Sequence, residues 1–123
     1  MLLDSNILIY GAKGEHPGLD AILDRTDLAA ASVTRIETLG FHRLSEIERS
    51  WLETAFERMK ILMLDDAVAG RAIALRQERK MELADAIIAA TALVHQLPLV
   101  TRNVDDFKHV AGLNLKDPFA PKT

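Results

Sequence analysis

Four carboxylates stand out by their surroundings. Asp4 closes the apolar run Met1-Leu2-Leu3. Glu37 ends the stretch Ser32-Val33-Thr34-Arg35-Ile36-Glu37. Asp85 interrupts Leu83-Ala84-Asp85-Ala86-Ile87-Ile88-Ala89-Ala90, and Asp106 follows Leu99-Val100 closely, beside Asn103 and Asp105. Gathered in one pocket, such groups suit the hard ions Mg²⁺ and Mn²⁺, which prefer oxygen ligands and keep several waters. In paired sites two such ions sit about 3.5–4 Å apart and stabilise both the attacking and the leaving oxygen of phosphodiester cleavage. This chemistry needs no His, Cys or Ser nucleophile, and the chain offers no convincing triad.

Each acid also has a plainer explanation. Asp4 could cap the helix that follows it. Glu37 stands three residues after Thr34, the spacing of a capping box. Asp105 and Asp106 could favour the start of a short helix through its dipole. Asp65 and Asp66 read as caps and nothing more. Asp85 could also be a cap, but it is the hardest to dismiss, because a lone carboxylate among apolar residues is costly unless paired, hydrogen-bonded or metal-bound.

The elements that must position these acids alternate. Short apolar runs at Met1–Leu3, Leu28–Ala31, Ile61–Leu64, Leu99–Val100 and Leu113–Leu115 read as strands. Helical spacing appears from about Asn6, over Leu19–Arg25, Ser32–His42, Ile47–Met59, Ala67–Lys80 and Asp105–Val110. Over Ile47–Met59 the pattern assigns Ile47, Trp51, Leu52, Ala55 and Met59 to one face. Leu83–Gln96 is apolar on nearly all sides and is predicted to be a buried helix. The alternation predicts an α/β fold with a mostly parallel central sheet flanked by helices, whose ligands bind beyond the carboxyl ends of the strands. Asp4, Glu37 and Asp106 each lie close behind a strand, whereas Asp85 opens a helix.

With 123 residues the chain fits one domain, 1–123, in which Pro118 to Thr123 read as a loose tail. The absence of cysteine excludes thiolate metal sites and disulfides. No apolar run spans a membrane, and Asp4 interrupts the apolar start without a preceding basic region, so a cytoplasmic protein is expected. The net charge of −3 speaks against simple phosphate neutralisation, leaving cations or a local basic rim to attract any nucleic acid. Arg35, Arg43, Arg102 and Lys108 lie near the acids in sequence and could grip phosphates, although a solvated face is their ordinary role. His16, His42, His95 and His109 have no zinc-peptidase spacing, and no phosphate-binding glycine motif occurs.

Four segments together resemble the PIN-domain nucleases, and more narrowly the VapC-type toxins of bacterial toxin–antitoxin pairs. They are Leu3-Asp4-Ser5-Asn6-Ile7-Leu8-Ile9, Ser32-Val33-Thr34-Arg35-Ile36-Glu37, Asp85-Ala86-Ile87-Ile88-Ala89-Ala90-Thr91-Ala92 and Leu99-Val100-Thr101-Arg102-Asn103-Val104-Asp105-Asp106-Phe107. The resemblance places the family's acidic quartet on Asp4, Glu37, Asp85 and Asp106, with Asn6, Thr101 and Asn103 as accessory pocket residues. Ser5 stands where threonine is more usual, and some members carry aspartate at the place of Asn103. The resemblance implies a PIN-like parallel-sheet fold, Mg²⁺ or Mn²⁺, cleavage of RNA, homodimers, and a cognate antitoxin whose C-terminal segment covers the site. On that basis Asp4, Asp85 and Asp106 would hold the metal, and Glu37 would bind a second ion or orient water. Two rival functions are a catalytically silent PIN-like binding module and a receiver-like domain with Asp65 as phosphoacceptor and Thr101 as its hydroxyl partner. The receiver reading lacks a second acid after the first strand and a well-placed lysine.

Overall fold

The computed structural model describes residues 1–119. Five short strands, β1 (Leu2–Leu3), β2 (Ala29–Ala31), β3 (Lys60–Leu62), β4 (Leu99–Val100) and β5 (Leu115–Lys116), form one sheet in the order β3-β2-β1-β4-β5. Every pairing is parallel. The helices are α1 (Ser5–Lys13), α2 (Asp20–Leu23, entered through a 3₁₀ turn at Pro17–Leu19), α3 (Ser32–Leu39), α4 (Glu46–Glu57), α5 (Asp66–Glu78), α6 (Leu83–His95) and α7 (Val104–Phe107).

Side chains on a strand alternate between its faces, so a parallel sheet covered on both sides must be apolar throughout. Leu2, Ala29, Ala31 and Leu99 join a core with Val68 of α5, Ile88 of α6 and Phe107 of α7. Leu3, Ala30 and Val100 join a second core with Ile7 and Leu8 of α1 and Leu52 and Phe56 of α4. The sheet thus separates two helical layers. Ala86 to Ala92 of α6 are buried without interruption, as a helix apolar on all sides requires.

Several sequence expectations are corrected. The run Ile61–Leu64 is not a buried strand: β3 stops at Leu62, and Met63 and Leu64 are 64% and 48% exposed. The reason is position. An edge strand has a single neighbour, and the chain leaves the sheet there to enter α5. The face assigned to Ile47–Met59 is also split. Leu52 and Phe56 enter the core, whereas Ile47 is 81% exposed and Trp51 is only half-buried. The last strand lies at Leu115–Lys116 rather than Leu113–Leu115, and the helix after β4 ends at Phe107. Phe119, expected in a loose tail, packs edge-on against Tyr10 and His16 at centroid distances of 5.4 and 5.2 Å. The rest of that expected tail, 120–123, lies outside the described residues.

Candidate active site

β1 and β4 are neighbours, with Leu2 opposite Leu99 and Leu3 opposite Val100. From β1 the chain builds to one side through β2 and β3, and then to the other side through β4 and β5. The crevice beyond the carboxyl ends of β1 and β4 is therefore the switch point at which open α/β sheets bind ligands. Asp4 leaves β1 there, and Thr101 leaves β4.

Asp4 is buried. Its Oδ1 accepts from the Ser5 amide at 2.8 Å and so caps α1. The capping explanation accounts for one oxygen only. Oδ2 accepts from Thr101 Oγ1 at 2.7 Å and from Asn6 Nδ2 at 3.1 Å. Thr101 Oγ1 accepts in turn from the Asn103 amide at 3.0 Å and from Asn6 Nδ2 at 3.3 Å, which ties the two loops into one network. Burial pushes the Asp4 carboxyl above its ordinary value. The hydrogen bonds from Thr101 and Ser5 oppose that rise, while the charges of Glu37 and Asp106 add to it.

The capping box expected at Thr34 and Glu37 does not form. Helix α3 starts directly out of β2 with Ala31 as its cap, so Thr34 is already inside the first turn. The Thr34 hydroxyl is buried without a partner among the described residues. Glu37, which is exposed, accepts a 2.6 Å hydrogen bond from Ser5 Oγ instead. Ser5 was not among the residues singled out for chemistry. Its signal was a hydroxyl at the first position of the helix that Asp4 caps.

Asp85 occupies the third position of α6, whose cap residue Glu82 makes no side-chain capping bond. Half-buried, Asp85 has no hydrogen bond or ion pair within the described residues. Its carboxyl is pushed up to about 6, first by burial and then by the negative charges of Asp4, Asp106, Glu37 and Glu82. The capping explanation is not met here. On α7 the two neighbouring acids divide: Asp105 pairs with Lys108 at 3.0 Å, while Asp106 is exposed and its charge acts on both Asp4 and Asp85. Asn103 caps α7 through its backbone, with no side-chain capping bond.

The charges of Glu37 and Asp106 thus act on both Asp4 and Asp85, and among the described residues none of the four acids pairs with a lysine or arginine. Among the described residues, no group of three His, Asp or Glu side chains is gathered tightly enough to hold a metal ion as it stands. The donor set nevertheless fits a hard divalent cation. It is all oxygen, it is anionic and uncompensated, and such an ion fills its remaining coordination with water. Asp65, by contrast, follows the edge strand β3 and caps α5 through the Val68 amide at 2.9 Å.

A cavity of about 730 Å³ lies away from the acids, between α2 and α4. Leu23, Ile47, Trp51, Ala55 and Met59 line it, with Arg25 and Arg58 beside them. Its floor depends on Gly11 of α1: a Cβ there would stand 2.6 Å from the Trp51 ring and 2.9 Å from Leu23. Among the described residues no helix is long and apolar enough to cross a membrane.

Asp4 at the switch point of a five-stranded parallel sheet, with further acids acting on it, defines an α/β domain with an acidic end beyond its strands. Residues 1–113 match the family model of the PIN domain, and the chain belongs to that family. It is similar over 96% of its length to 97% of a chain from a toxin–antitoxin complex of Klebsiella pneumoniae, with 33% identity and a TM-score of 0.80. FitAcB from Neisseria gonorrhoeae is 26% identical, with 95% of this chain and 96% of that one covered and a TM-score of 0.76. DNA-bound VapBC from Salmonella typhimurium shares the fold at 23% identity, with 95% and 96% covered and a TM-score of 0.82. A comparison with curated protein sequences gives no match.

Proposed function

We propose that this chain is the toxin of a toxin–antitoxin pair and acts as a Mg²⁺- or Mn²⁺-dependent endoribonuclease. The observation that carries the reading is Asp85, pushed up to about 6 by burial and by the charges of Asp4, Asp106 and Glu37, with no lysine or arginine paired to any of these four acids among the described residues. Asp4, Asp85 and Asp106 would hold a divalent ion, and Glu37 would hold a second ion or orient the attacking water. Such ions lower the pKa of bound water and neutralise charge developing on a phosphodiester. The protein's own part is positioning. Thr101 and Asn6 hold one Asp4 oxygen in place, and Ser5 holds Glu37 against the same helix start. Asn103 fixes Thr101 through its amide.

The test is incubation of antitoxin-free protein with a mixed RNA pool in Mg²⁺, Mn²⁺ or EDTA, beside Asp4→Asn and Asp85→Asn. The expected result is metal-dependent cleavage that falls by at least about 10²-fold in both variants, since even partners of metal ligands typically cost 10–100-fold. Cleavage that survives in the variants would point to a contaminating ribonuclease. Metal binding without cleavage of any RNA would favour a silent binding module.

The antitoxin reading draws on the toxin–antitoxin complex from Klebsiella pneumoniae, the relative with 33% identity. The groove between α2 and α4 offers an apolar antitoxin segment a half-buried Trp51, with Leu23, Ile47, Ala55 and Met59 in the same lining. A central tryptophan of this kind commonly carries 2 kcal/mol or more of binding, so Trp51→Ala is expected to weaken capture of the antitoxin by about 30-fold. Light scattering on the isolated chain should report a homodimer, and an unchanged antitoxin affinity in Trp51→Ala would remove the groove from the interface.

A further inference from the structure

We propose that Arg102 binds a backbone phosphate of the RNA, and that Tyr10 and Phe119 are positioning residues that hold it ready. The inference rests on the nuclease reading above. An acidic pocket repels a polyanion, and the net charge of −3 does nothing to draw one in. Cations held by the acids would offset that charge, and a fixed positive group beside them would add a grip on the strand flanking the scissile bond.

Among the basic residues near the acids in sequence, Arg102 is set apart by its surroundings. Lys108 is engaged with Asp105. Arg102 is exposed, pairs with no carboxylate among the described residues, and lies over two aromatic rings, with Cζ at 4.5 Å from the Phe119 centroid and 5.1 Å from that of Tyr10. The rings are themselves locked: Tyr10, Phe119 and His16 meet edge-on at 4.7 to 5.4 Å. The Arg102 main chain is tied to the acidic network, because its amide donates to Asn6 Oδ1 at 3.3 Å, and Asn6 Nδ2 donates to Asp4 and Thr101. One residue therefore joins the carboxylate site to an aromatic seat.

The chemistry of that seat suits a phosphate. A guanidinium stacked over rings is held by cation–π attraction while the N–H donors in its plane remain available. Those donors match a phosphate bidentately, which lysine cannot do. The stack also restricts the side chain before RNA arrives, so less freedom is lost on binding. Phe119 comes from the segment after β5 and Tyr10 from α1, so the seat exists only in the folded chain.

The experiment measures steady-state cleavage of a single-stranded RNA in Mn²⁺, and RNA affinity against salt in Ca²⁺, for wild type, Arg102→Ala, Arg102→Lys, Phe119→Ala and Phe119→Trp. Arg102→Ala should raise KM by about tenfold with kcat within about threefold, and should reduce the slope of log affinity against log salt by about 0.7, the loss of one phosphate contact on a single strand. Arg102→Lys should restore the salt slope but only part of KM. Phe119→Ala should raise KM less than Arg102→Ala, and Phe119→Trp, which keeps an aromatic face, should recover it. A stack that merely ties down the C-terminal segment would lower Tm in Phe119→Ala and leave KM and the salt slope of Arg102→Ala at the wild-type value; that result overturns the proposal while the nuclease stands. A wild-type protein that neither binds nor cleaves RNA removes the nuclease reading and this inference together.

Discussion

Helices α4 and α6 both carry an acid at their third position, and the two acids have opposite fates. At the start of α4, Ser45 caps the helix and Glu48 closes the capping box: Ser45 Oγ accepts from the Glu48 amide, and Glu48 Oε1 accepts from the Ser45 amide, each at 3.1 Å. Those bonds hold the Glu48 carboxyl below its ordinary value. At the start of α6, Glu82 caps nothing through its side chain and Asp85 accepts no bond among the described residues, so burial and then the charges of Asp4, Asp106, Glu37 and Glu82 push its carboxyl up to about 6. A charge at a helix start is ordinarily favourable. At α4 that benefit goes to stability. At α6 it is opposed by the cost of keeping anions together, a cost that a cation bound as proposed above would offset.

That contrast is open to direct attack. The largest expected effect is on activity through Thr101, whose hydroxyl orients the Asp4 carboxylate. Thr101→Val should lower metal affinity or cleavage by about 10–100-fold, as loss of a metal ligand's hydrogen-bonding partner does elsewhere. Titration of Mn²⁺ into the variant checks it, and unchanged affinity would mean that Asp4 is not a ligand. Next in size is a pair of stability changes with opposite signs, read by thermal unfolding in EDTA. Ser45→Ala should destabilise by about 1 kcal/mol through loss of the cap. Asp85→Asn should leave Tm unchanged or raise it, because it removes a repelled charge. A marked fall in Tm for Asp85→Asn would return that residue to a structural role and end the contrast.

The smallest effect is a matter of pH. Folded Asp85 keeps its proton up to about 6, whereas in the unfolded chain the proton leaves near the ordinary 3.8. Between those values the folded state binds more protons, so the metal-free protein loses stability as pH rises through this window. The loss is complete above about 6. Asp85→Asn should flatten that limb of the curve of Tm against pH. Divalent-ion affinity should move the other way and climb as pH passes 6, since a ligand must shed its proton to bind. An affinity flat from pH 5 to 7 would argue that Asp85 does not bind the ion.

Much of the architecture was legible in the chain. Alternating apolar runs and helical spacings specify a parallel α/β sheet because strands buried on both faces cannot carry polar residues. A helix as apolar as Leu83–Gln96 has nowhere to go but inside. The polar residues just behind strands, Asp4 and Thr101, were readable by the same rule, because a sheet presents its strand ends to ligands. Less legible were the edges. Ile61-Leu62-Met63-Leu64 has the composition of a central strand, yet the sheet order makes it a border, and half of it faces solvent.

Local spacing was least informative where two capping patterns looked alike. Thr34 and Glu37 have the separation of a capping box and do not form one; Ser45 and Glu48 have the same separation and do. The difference lies upstream, in whether the helix springs straight from a strand or from a free loop. Sequence by itself determined which residues are acidic, which runs are apolar and which side chains sit behind strands. Only the tertiary structure decided that Glu37 meets Ser5 across 32 positions, that Arg102 rests on Phe119, and that Asp85 stands among like charges while Glu48 does not. The physical reason is that a carboxylate's protonation and partners depend on the charges and burial around it, and those are set by chain segments far away in sequence.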